Sequence, residues 1–228
     1  LASMDTTLIT EAVKAVRNSE IALVFVGSSS TAFVRHSNEP STSGEGIDLS
    51  DISLTGAQEQ LIRSVCATGK PVVVILVAGK PFAIPYIKEK VPAILAQWYA
   101  GEQAGNSIAD ILFGKVNPSG KLPFSFPQST GHLPAYYNYL PTDKGYYKEP
   151  GTYTSPGRDY VFSSPAPLWA FGHGLSYTRF EYVQATTDKT SYQPHDTIRI
   201  SVKVKNSGEL AGKEVVQIYI HDVVSTVM

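Results

Sequence analysis

The sequence predicts an α/β fold: a three-layer open sheet, mostly parallel, with helices on both faces, followed by a partial β-sandwich. Three observations carry this expectation. Apolar runs without polar alternation, at residues 21–27 and 72–77, are separated by segments of helical period, the pattern of parallel strands buried between helices. A stretch rich in Pro, Gly and Tyr at 117–174 then lacks any sustained period. Residues 197–205 finally alternate apolar and polar at period two.

In chain order, Leu8, Ala12, Val13 and Val16 recur at helical spacing until Asn18-Ser19, and the apolar strand 21–27 follows. A polar loop fills 28–51. Thr55 is the expected N-cap of a second helix that runs through Cys66 and stops at Gly69-Lys70-Pro71, ahead of the strand 72–77. Residues 81–90 read as a short helix, 93–98 as a strand and 103–113 as a helix ended by Gly114. Ligands of such sheets sit beyond the carboxyl ends of the strands. That places the loop from Ser28 onward, Gly79 and Tyr99-Ala100-Gly101-Glu102 at the expected functional edge. Toward the C-terminus, 197–205, a turn at Asn206-Ser207-Gly208 and 214–220 read as antiparallel strands. A complete sandwich takes about 100 residues, so the chain from Phe180 to Met228 has room for roughly half of one. The expected divisions are an α/β domain at 1–124, an irregular segment at 125–178 packing on it, and a β module at 179–228.

Composition narrows the function classes. Nineteen basic residues against 20 acidic give a net charge of −1, which leaves no electrostatic footprint for nucleic acid or an anionic membrane surface. The lone Cys66 excludes an internal disulfide framework and a thiolate metal site. No apolar run is long enough to span a membrane, and no signal-peptide pattern opens the chain. His36, His132, His173, His195 and His221 are scattered without a second ligand at helical spacing, so neither a metal nor a cofactor is expected.

Within the loop after the first strand, Ser43-Gly44-Glu45-Gly46 sets a carboxylate between two glycines. Glycines allow positive φ and close approach of backbone to ligand, so a side chain between them can project into a cleft. Shielded from water, Glu45 would serve as a general acid near neutral pH. A glutamate in such a loop is nonetheless more often merely solvent-exposed. Glu39, Asp48 and Asp51 share the loop without the ligand spacing of a calcium motif, and Asp51 before Ile52-Ser53-Leu54 reads as a turn or cap residue. Ser28-Ser29-Ser30 follows a strand as a phosphate-binding turn would, but lacks the glycines and lysine of a nucleotide motif. Tyr136-Tyr137-Asn138-Tyr139, Tyr146-Tyr147, Tyr153 and Trp169 offer flat faces for a sugar ring or, more simply, staple the irregular segment to a surface.

Taken together and in order, these segments resemble glycoside hydrolase family 3, the β-glucosidase and β-xylosidase family. The resemblance rests on residues 22–27, Gly44-Glu45, Asp51-Ile52-Ser53-Leu54, Gln58-Glu59-Gln60-Leu61-Ile62 and Gly69-Lys70-Pro71. It continues through Trp98-Tyr99-Ala100-Gly101, Ala109-Asp110, Asn117-Pro118-Ser119-Gly120-Lys121-Leu122-Pro123 and Phe171-Gly172-His173-Gly174-Leu175-Ser176-Tyr177-Thr178. It covers the chain from about Leu8 to the end.

The resemblance implies a retaining exo-β-glycosidase whose aspartate nucleophile lies on a β/α barrel that this chain does not contain. It also implies that the α/β domain lacks its first strand and that the C-terminal module is a truncated fibronectin-III-like domain. Glu45 inherits the acid/base role by position, and Ser43, Gly44 and Arg158 are candidate substrate-binding residues. Leu49 stands where many relatives carry an Arg after the Glu. Implied partners are a β-linked oligosaccharide or glycoside and the absent barrel; the implied location is periplasmic or secreted. Alone, the chain is expected to be inactive. The alternative is a non-catalytic carbohydrate-binding or interaction module on the same fold.

Overall fold

A computed structural model describes residues 3–30, 41–46, 48–138, 154, 160 and 163–221. The chain divides into two compact units, one formed by Leu1–Gly105, Pro123–Phe171 and Ile220–Met228, the other by Asn106–Leu122 and Gly172–Tyr219.

The first unit carries α1 (Ile9–Arg17), β1 (Ala22–Gly27), α2 (Gln58–Cys66), β2 (Val72–Val77), α3 (Pro85–Lys90) and β3 (Ala93–Ala96). The strands form a parallel sheet in the order β1-β2-β3, with Phe25 level with Ile75 and Ile75 level with Leu95. All three therefore end at one edge. Central β2 is the most buried, with Val74 and Ile75 at 0% exposure. Around it Ile62, Phe82, Ile84 and Ile87 form the core. Full burial of one such side chain is worth about 1.5–3 kcal/mol.

β1 departs from the expected burial on both faces. Ala22, Val24 and Val26 are buried, whereas Leu23 is 47% and Phe25 53% exposed. β1 is an edge strand, and none of the described elements covers its second face. Three predicted boundaries shift as well. The cap of α2 is Ala57 rather than Thr55, which instead takes a bond from the Gln58 side chain on its carbonyl (2.9 Å). Residues 81–84 are not helical: Phe82, Ala83 and Ile84 are all buried and Ala83 N donates to Ile52 O at 3.1 Å. Pro85 then opens α3 at its first turn, where its missing N–H costs nothing. β3 stops at Ala96, two residues before Trp98 turns to φ +60°.

Part of the irregular segment is fastened to this unit by aromatic side chains. Phe126 and Trp169 form an antiparallel bridge, and their rings meet edge-on at 5.5 Å. Trp98 meets Phe124 edge-on at 5.2 Å, and Tyr137 lies 4.9 Å from Phe171. His132 is buried: its Nδ1 accepts from Gln128 N at 3.0 Å, so Nε2 carries the proton that bonds Pro165 O at 3.0 Å. Tyr139, Tyr146, Tyr147 and Tyr153 lie outside the described residues.

In the second unit, most of α4 (Ala104–Leu112) precedes an antiparallel pair, β4 (Phe180–Thr187) and β5 (Ile200–Asn206). Phe180 opposes Asn206 and Thr187 opposes Ile200, with a register shift between Tyr182 and Gln184. The partner of β5 is thus β4, not 214–220, which take no strand structure despite their alternation. Asn117 organises the approach to β4: its Oδ1 accepts from Ser176 Oγ and Tyr177 N, and its Nδ2 donates to Ala211 O at 3.0 Å.

Candidate active site

The edge where the three parallel strands end brings together the loops after β1, β2 and β3. Ser28 N donates to Val77 O at 3.0 Å and Gln97 N to Leu76 O at 2.9 Å, so the ladder continues one residue past each strand before the loops part.

The exit from β1 is clamped. Gln58, buried at the start of α2, accepts from Gly27 N through Oε1 (2.7 Å) and donates to Gly27 O through Nε2 (3.0 Å). One amide side chain thereby satisfies both backbone groups of the last strand residue, as buried polar groups require. Gly27 has no room for a side chain: a Cβ there would stand 1.8 Å from Val77 O.

Beyond the clamp, the two ends of the loop are laced together. Ser29 N donates to Thr42 Oγ1 at 2.9 Å, and the N–H groups of Thr42 and Ser43 return to Ser29 O at 3.0 and 3.1 Å. Thr42 is buried, so this lacing is internal to the fold. It delivers Glu45 to the same edge. Gly44 (φ +82°) and Gly46 (φ +76°) on either side of it are left-handed, as the sequence pattern predicts for a carboxylate raised between glycines. Ser30 Oγ donates to Glu45 Oε2, and Glu45 N donates to Ser43 Oγ at 3.2 Å. Within this chain Glu45 is exposed, the more common of the two settings for such a loop glutamate.

The other predicted residues fall as follows. Ser43 and Gly44 adjoin Glu45, Ser43 as a support for its backbone; Arg158, His36 and Glu39 lie outside the described residues. Asp51 is a turn residue, taking Ser53 N (2.9 Å) and Ser53 Oγ (2.7 Å), and these bonds, led by the backbone one, hold its pKa below the ordinary value. Ser28 and Ser29 are engaged with Tyr99 Oη (3.1 Å) and Thr42, which leaves little of a phosphate cradle. Among the described residues no group of three His, Cys, Asp or Glu could hold a metal.

Two further residues stand at this edge: Tyr99, which the sequence places there, and Lys80, which it does not single out. Tyr99, after β3, donates to Ser28 O at 3.0 Å, and its ring lies 3.0 Å from where a Cβ on Gly79 would be, so Gly79 leaves the space Tyr99 occupies. Lys80, after β2, has an Nζ buried without a hydrogen-bond partner among the described residues, 4.6 Å from the centre of the Phe82 ring. Burial lowers its pKa, against the opposing pull of the Asp51 charge. A lysine between Gly79 and Pro81 carries no signal of this in the sequence.

Comparison with known proteins fixes the family. The profile of the glycosyl hydrolase family 3 C-terminal domain matches residues 3–177. The chain belongs to this family. It is 40% identical over 216 residues to a β-xylosidase of Formosa agariphila, covering 93% of this chain and 27% of the relative. It is 38% identical over 220 residues to the periplasmic β-glucosidase of Salmonella typhimurium, with 96% and 27% covered. Among solved structures, the β-glucosidase of Listeria innocua aligns with a TM-score of 0.82 at 33% identity, over 99% of this chain and 29% of that one. The same enzyme in complex with glucose aligns at 0.76. The family 3 chain thus spans about a quarter of the length of these relatives.

Proposed function

We propose that this chain supplies the general acid/base of a retaining exo-β-glycosidase, a β-glucosidase or β-xylosidase, that removes terminal non-reducing β-linked sugars. Glu45 is the acid/base. The observation that carries this reading is its setting: an exposed carboxylate between two left-handed glycines, on a loop laced to the end of a parallel strand, in a family 3 chain.

In retaining glycosidases two carboxyl groups about 5–5.5 Å apart divide the work. One protonates the leaving oxygen while the other attacks the anomeric carbon, and the first then removes a proton from the incoming water. Glu45 takes the first role; the nucleophile, and the cover that excludes water, come from a barrel domain outside this chain. On this reading the 228-residue chain alone does not turn over substrate. The loop's hydrogen bonds from Ser30 and to Ser43 hold Glu45 within reach of the leaving group without burying it. Ser43 and Gly44 border the substrate, Arg158 is a further candidate contact, and the β module completes as a fibronectin-III-like sandwich. The periplasmic relative suggests a periplasmic or secreted location.

In the complete protein, Glu45→Gln is expected to lower kcat by about 100- to 10,000-fold while sugar binding persists. An unchanged rate would favour the alternative, a non-catalytic carbohydrate-binding module.

A further inference from the structure

The second unit contains a cavity of about 720 Å3, bordered by the segment 174–182 with Lys121, Ser207, Gly208 and Glu214. Its volume falls within the range of about 300–1,000 Å3 usual for small-molecule sites. Nothing in the proposed acid/base chemistry uses it.

Its polar centre is a fixed pair. Lys121 Nζ lies 3.3 Å from Glu214 Oε1, and their side chains are only 17% and 14% exposed. Lys121 also donates to Gly174 O at 2.9 Å, and Tyr182 Oη donates to the same Glu214 oxygen at 3.1 Å. The backbone is drawn tightly around this pair, since a Cβ on Gly174 would stand 2.1 Å from Gly120 O and 2.9 Å from Lys121 Cδ. One ion pair and two hydrogen bonds thus orient the two charges. Among the described residues Glu214 Oε2 takes no hydrogen bond, and the ammonium, which donates to Gly174 O, has further N–H groups to give.

A free acceptor beside a free donor matches adjacent hydroxyls, each of which can give one hydrogen bond and take another. Two cations, Lys121 and Arg179, are matched by two anions, Glu181 and Glu214, so the lining favours a neutral ligand over a phosphate or a metal ion. Tyr177 and Tyr182, about half exposed as residues, border the same space, and their hydroxyls are tied to Ile111 O and Glu214. Anchored rings of this kind offer flat apolar faces at little entropic cost.

We infer that this cavity is a saccharide-binding site that takes a neutral oligosaccharide through the Lys121–Glu214 pair and the rings of Tyr177 and Tyr182.

The 228-residue chain can be titrated with cellotetraose and with xylotetraose, following backbone amide shifts by NMR. Saturable binding of at least one, with shifts concentrated at 174–182 and 207–214, is the expected result. Tyr182→Ala should weaken it roughly ten-fold, and Glu214→Gln should weaken it measurably. Tyr182→Phe, which keeps the ring and removes only the hydroxyl bond, should retain most of the affinity and serves if Tyr182→Ala fails to fold. No saturable binding of either sugar, shifts confined to the first unit, or affinity indifferent to both Tyr182→Ala and Glu214→Gln would overturn the assignment. The readout is binding in the second unit, so its failure leaves the role of Glu45 untouched, and failure of that role leaves this one standing.

Discussion

The buried clamp at the end of β1 and the open stretch around Glu45, 18 residues further on, solve different problems with similar polar groups. At the clamp, Gln58 holds both backbone groups of Gly27 inside the fold, and no side chain can be added there. In the loop, Glu45 is exposed and a Cβ on Gly46 would meet nothing within 4 Å. The first region fixes where the chain leaves the sheet, and the second leaves a carboxylate free to meet whatever arrives at the strand ends. Stability and chemistry are therefore separable by mutation, although both regions belong to one connection.

Gly27→Ala tests the rigid side hardest. Its Cβ collides with Val77 O, so the strands must separate locally, and a loss of about 3 kcal/mol is expected by denaturant unfolding. A loss below 1 kcal/mol would mean that the strand ends yield more easily than the geometry implies. Gln58→Ala strips the partners from a buried N–H and a buried C=O and should cost about 2–3 kcal/mol. Glu45→Gln, in contrast, should leave the unfolding midpoint unchanged, since Glu45 is exposed; a large shift would erase the distinction between the two regions.

Lys80 gives a smaller, pH-dependent test of the same edge. Its folded pKa lies below the ordinary 10.5, so the unfolded chain binds the proton more tightly. The charged form then costs stability at neutral pH, and that cost fades as pH rises from the folded pKa toward 10.5. Lys80→Met should accordingly stabilise by about 1 kcal/mol at neutral pH, with the gain shrinking in alkaline solution. A gain that stays constant with pH would show that packing, not the buried charge, is responsible.

What could be read from the sequence was whatever depends on neighbours along the chain. The apolar runs of β1 and β2 and the helical spacing of Leu8, Ala12, Val13 and Val16 located their elements, because apolar patterning is local along the chain, even though α1 buries none of its residues fully. The glycines flanking Glu45 announced their left-handed backbone for the same local reason. Features that depend on distant partners were invisible. Gln58 closes on Gly27 across 31 residues, and nothing in a helix-opening glutamine foretells it. Residues 81–84 begin with a proline, as a helix might, yet their burial and the bond from Ala83 N to Ile52 O hold them outside the helix. Residues 214–220 alternate as a strand does, but alternation supplies a face and not a partner, and β5 pairs with β4 instead.

The most direct test of Glu45 as the acid is the dependence of its loss on the leaving group. In the complete protein, Glu45→Ala should slow formation of the glycosyl-enzyme only slightly for a dinitrophenyl β-glycoside, whose leaving group needs no proton. For an unactivated alkyl β-glycoside, whose oxygen must be protonated as it departs, the same variant should lose at least about 100-fold. Equal losses for both substrates, or no loss for the alkyl glycoside, would contradict the account.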